Sequence, residues 1–209
     1  MLRSYRLLAL LVVLVVPRTA AAYPFGAFGY AQGGCSLGGS CHVAVASPTT
    51  RVCIVGLPAD GTYAPGTTYA LNVFVDGLGV PPLGVVTGGN IAGFDVIATA
   101  GTIATPSEDD AVQHIGNDVT HTAAGTDRNH WDFQWTAPVS GEVTIYVAGN
   151  AVSGDGTNQG GDLWNVIDGG VVLQAGAGSG AGEGMTCNPP LPLPQLIRLP
   201  LEPSAMAAH

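Results

Sequence analysis

The stretch "HWDFQWTAP" (His130–Pro138) decides the fold. Trp131, Phe133 and Trp135 alternate with His130, Asp132 and Gln134. Successive side chains of an extended chain point to opposite sides, so this order gathers three aromatic rings on one face and the polar groups on the other. A platform for stacking sugars is one use of such a face. Burial in a core is the simpler one, because large rings gain most from leaving water.

The same period of two recurs on both sides. "TTYALNVFVDG" (67–77) sets Tyr69, Leu71, Val73 and Val75 against Ala70, Asn72, Phe74 and Asp76. "GEVTIYVAGNA" (141–151) sets Val143, Ile145 and Val147 against Glu142, Thr144 and Tyr146. "RVCIVGL" (51–57) and "AGFDVIATA" (92–100) add short apolar runs, and clusters of Gly, Pro, Asn and Asp punctuate them. Beyond the first residues no segment keeps a helical period, and 31 Gly with 15 Pro oppose helices. Strands with one apolar face must pack face to face. The expectation is an all-β chain, an Ig-like antiparallel β-sandwich over residues 51–174.

Outside that span, "MLRSYR", the apolar "LLALLVVLVV" and the small residues of "PRTAAA" read as a secretory signal peptide over 1–22, cleaved before Tyr23. Residues 23–50 form a Gly- and Cys-rich lead. Residues 175–209 read as a Gly-rich linker followed by a Pro-rich tail, with no membrane span left after cleavage. The expected location is secreted or periplasmic. Net charge is −9, and losing Arg3, Arg6 and Arg18 with the leader takes it to −12. Such a surface repels phosphate backbones and anionic lipid, so nucleic acid and membrane surfaces are poor partners, and a protein or other cell-surface partner is expected.

The order "GGC…CH", "VGLPADGTYAPGTTYALNVFV", "AGFDVIA", "VTHT" and "WDFQWTAPVSGEVTIYVAGNAVSGDGTNQGGDLWN" resembles the bacterial Reeler-like domain of exported choice-of-anchor proteins, over roughly residues 33–167. The resemblance implies an Ig-like sandwich related to the reelin N-terminal module. It also implies an exported protein whose members often begin with C-x-x-C-H. Here the spacing is C-x5-C-H and no anchor follows the sandwich, which points to a free envelope or secreted protein.

Four cysteines in an oxidising compartment predict two disulfides. Of the three pairings, Cys35–Cys41 with Cys53–Cys187 is the simplest, since the first pair closes a short Gly-rich loop. The alternative gives Cys35, Cys41 and His42 to a covalent c-type haem, with His121 as second axial ligand and His114 and His130 behind it. That alternative would make the chain an electron carrier. The same histidines could bind a transition metal, although none are paired at ligand spacing.

Asp155, Asn158 and Asp162 in "SGDGTNQGGDLWN" offer oxygen ligands that would suit Ca²⁺. The plainer reading is a loop whose Asp, Asn and Gly supply turn conformations. No G-x-S-x-G, H-E-x-x-H or P-loop is present, so no catalytic residue is assigned and no resident cofactor is expected. The leading expectation is a non-enzymatic sandwich with an adhesive, structural or protein-binding role at the cell envelope.

Overall fold

The computed structural model describes residues 25–34, 45–77, 91–153, 162–178 and 182–190. The stretch expected to be a signal peptide, the segment with Cys35, Cys41 and His42, Asp155 and Asn158, and the Pro-rich end lie outside these. The regular structure of the described chain is almost entirely strand: β1 (Arg51–Leu57), β2 (Thr62–Tyr63), β3 (Thr68–Asp76), β4 (Ala92–Ala98), β5 (Thr102–Ala104), β6 (Val112–Ile115), β7 (Asp118–His121), β8 (His130–Thr136), β9 (Glu142–Ala151), β10 (Leu163–Val166), β11 (Val171–Ala175) and β12 (Gly184–Asn188). One 3-10 turn, Ala124–Asp127, precedes β8.

The strands form two sheets. The first runs β12-β1-β3-β8-β5; the second runs β2-β11-β9-β4-β7-β6, with β10 also paired to β9. All pairs are antiparallel except β2 with β11. The fold class read from the alternation, a largely antiparallel β-sandwich, is what forms.

The core lies between the sheets, and the period of two fills it. Trp131, Phe133 and Trp135 of β8 are buried, with Tyr69, Leu71, Val73 and Val75 of β3 on the same sheet and Phe94, Val96, Val143, Ile145 and Val147 facing them. Phe94 bridges the layers, its ring stacked on Trp131 with centroids 4.6 Å apart. Each fully buried side chain of this size contributes about 1.5–3 kcal/mol. The indoles keep their polar edges satisfied: Trp131 Nε1 donates to the Gly125 carbonyl and Trp135 Nε1 to that of Ala100.

The sandwich extends past the end expected at Gln174. Gly184–Asn188, read from composition as linker and tail, forms β12 at the edge of the first sheet. Glycine-rich sequence carries no periodic signal, but Cys187 stands directly opposite Cys53 on β1 and is bonded to it. The sulfur–sulfur link and the ladder bonds hold a strand that propensity alone would not.

Candidate functional site

β1, β4, β8 and β10 begin at the same end of the sandwich where β3, β9 and β12 finish. Arg51 pairs with Asp76, Phe74 with His130, and Ala151 with both Ala92 and Leu163. The described residues flanking 35–44, 78–90 and 154–161 all lie here, as does Pro190, where the tail departs. Gly34 packs against the Trp164 indole: an ideal Cβ there would come within 2.1 Å of the ring, and φ is +69°. Ser47 N–H donates to the Trp164 carbonyl, so both flanks of 35–44 meet at one residue. The opposite end closes mostly through tight turns, such as Pro58–Gly61 and Ala64–Thr67.

A cavity of about 230 Å³ opens at the first end between Val75, Gly77, Ile91, Ala151 and Val152, with Asn129 and Ser153 at its polar side. Behind it sits a buried polar layer. Asn129 Nδ2 lies 3.4 Å from Asp76 Oδ1, and Ser153 N–H donates to Asp162 Oδ1 at 2.8 Å. Asn165 Nδ2 donates to the carbonyls of Thr50 and Asn188, and Asn188 Nδ2 donates to that of Val166. These bonds cross-link β1, β10 and β12 where the long connections leave. A rigid frame with side-chain-anchored loop roots suits recognition, since loops carry binding residues when a scaffold positions them.

The predicted site residues separate. Cys53 and Cys187 form the expected disulfide. Cys35, Cys41 and His42 lie outside the described residues, as do Asp155 and Asn158 of the calcium reading. Asp162, the third member of that set, is buried and holds the Ser153 amide.

His121 stands on β7 rather than in a turn. It is buried, with Phe94 N–H pointing at Nδ1 from 3.2 Å and its ring 6.4 Å from those of Phe94 and Trp131. That ring is packed on the core side of the second sheet, beside Gly93, Phe94 and Trp131. His114 is exposed on β6. His130 is half-buried on β8 and stacked on Phe74 at 5.9 Å. Among the described residues, no group of three or more His, Cys, Asp or Glu is placed to hold a metal ion. Nor is any helix there long and apolar enough to cross a membrane.

Two acids that sequence reading passed over are buried. Asp95 on β4 and Asp118 on β7 are 2% and 5% exposed, on the face of the second sheet turned away from the core. A lone carboxylate inside the apolar run "AGFDVIA" was the available signal, because an acid at the middle of a strand is seldom buried without partners. Comparison of the chain with protein-family models and with curated proteins finds no match.

Proposed function

We propose that this chain is an exported, non-enzymatic binding module with an Ig-like sandwich of the Reeler-like kind, acting by adhesion or protein contact at the cell envelope. The observation that carries this reading is the convergence, on one end of a rigid two-sheet frame, of the roots of two long connections, 78–90 and 154–161, with those of the lead and the tail. The opposite end has mainly short turns. The resemblance to the Reeler-like domain and the absence of catalytic motifs support it. The acidic surface favours a basic or neutral protein partner over nucleic acid.

The test compares the two ends. Val45 is exposed beside the loop roots, and Val139 is exposed at the far end. Purified protein should bind envelope preparations; Val45→Glu should weaken that binding at least tenfold, and Val139→Glu should leave it unchanged. Loss through Val139→Glu alone would refute the assignment of the contact end. A hydrolase or transferase activity abolished by substitutions in the cavity would refute the non-enzymatic reading.

A further inference from the structure

The lead does more than connect. Residues 29–31 cross the outer face of the second sheet and seal Asp95 and Asp118 beneath them. Gly29 N–H donates to Asp118 Oδ2, and the amides of Tyr30 and Ala31 donate to Asp95 Oδ2 at 2.8 and 2.9 Å. Ala31 is itself buried, and Gln113 Nε2 on β6 holds the Phe25 carbonyl. Asp118 stands opposite Ile97 and Asp95 opposite Thr120, so the two carboxylates are diagonal neighbours on adjacent strands. Asp95 Oδ1 is buried and makes no hydrogen bond.

This arrangement suits a neutral carboxyl, in which Oδ2 as the carbonyl oxygen receives the two amides and Oδ1 would carry the proton. We propose that Asp95 and Asp118 form a proton-operated latch that docks the 25–34 lead on the sheet and releases it when both carboxylates are ionised. Two like charges under a lid of backbone cannot be separated or hydrated without lifting the lid.

Burial, and then the charge of Asp118, push Asp95 up to about 7, while the amides of Tyr30, Ala31 and Val96 pull it back only in part. The strands packed around the pair add no counter-charge among the described residues. β9 presents Ala148 opposite Asp95, with Tyr146 and Asn150 on either side along the same face. β6 presents Gln113, and β7 presents Thr120 and Asp118 with His121 beyond them, its ring among Phe94 and Trp131. The lead offers backbone amides.

The sign follows from the raised value. Opening the lead returns Asp95 toward the ordinary 3.8, so the docked state binds the proton more tightly, and docking weakens as pH rises from about 4 to 7. Because Gly34 packs on Trp164, release would reach the loop end of the sandwich.

Hydrogen exchange at the Gly29, Tyr30 and Ala31 amides tests this in the full mature chain, as protection factors corrected for intrinsic rates. Protection should fall about thirtyfold between pH 5.5 and pH 8.5, ten for each unit below the titration point. Asp95→Asn should make it flat, and Asp118→Asn should move the midpoint to lower pH. Constant protection in the unsubstituted chain, or an unchanged pH response in Asp95→Asn, would overturn the latch. Should Asp95→Asn fail to fold, the presence or absence of the midpoint shift in Asp118→Asn decides.

Discussion

Gly93 of β4 has no room for a side chain because the His121 imidazole occupies it: an ideal Cβ at 93 would lie 2.5 Å from His121 Cε1. A methyl group there must displace a ring that packs near Phe94 and Trp131 and meets the Phe94 amide. Gly93→Ala should therefore cost about 1–3 kcal/mol in urea denaturation, as overpacking of a filled site does. Gly93→Ala combined with His121→Ala should be less destabilised than the sum of the two single changes. Simple additivity would show that the ring moves aside freely.

Cys53 and Cys187 should hold β12. Replacing both by Ala should lower stability by about 2–5 kcal/mol. Loss should begin at the edge: amides of Gly184–Asn188 should exchange well before those of β3 and β8, which are paired on both sides within the first sheet. Uniform exchange across the sheet would mean that the ladder, rather than the bridge, keeps β12 in place.

His130 should make the fold acid-sensitive. Its Nδ1 is buried without a hydrogen-bond partner. Burial lowers its proton affinity below the usual 6.5, with Arg128 adding to the effect against Asp132 and Asp109. A depressed histidine favours the fold above its unfolded value, and that contribution is lost as pH falls below about 6.5. His130→Gln should be less sensitive than the native chain to a drop from pH 7 to pH 5. The difference between the two is the quantity to measure, because Asp95 changes with opposite sign over the same range. Parallel curves would remove His130 from the account.

Intact-mass measurement of the purified chain addresses Cys35 and Cys41. A mass about four units below that of the reduced chain, one hydrogen per cysteine, is expected for a second disulfide alongside Cys53–Cys187. A gain close to the mass of haem that survives denaturation would instead make electron transfer the leading function.

The layers of the fold were legible where alternation was long. Trp131, Phe133 and Trp135 are buried on the face their spacing assigns, and Val143, Ile145 and Val147 meet them from the other sheet. β12 was hidden because its stability comes from a sulfur partner 134 residues away and from backbone bonds, neither of which leaves a local pattern. The burial of Asp95 and Asp118 was hidden for a similar reason. It depends on a glycine-rich lead with no period of its own, whose backbone rather than side chains does the covering. The strand that carries His121 was hidden because β6 and β7 form a hairpin too short to show alternation. The loop end was legible only as composition, since convergence of the connections follows from strand order.

The disulfide also determines how the chain would respond to being pulled. Cys53 lies two residues inside β1 and Cys187 one residue before the end of β12, on adjacent strands. Tension entering from the chain before Cys53 and leaving after Cys187 passes directly across the sulfur–sulfur bond. The polypeptide between them, with nearly all of both sheets, bears no load. The lead is on the other side of the clamp, in series with the force. A tether acting through the N-terminal side would peel residues 25–34 from Asp95 and Asp118 first, while the sandwich stayed folded behind its covalent bypass.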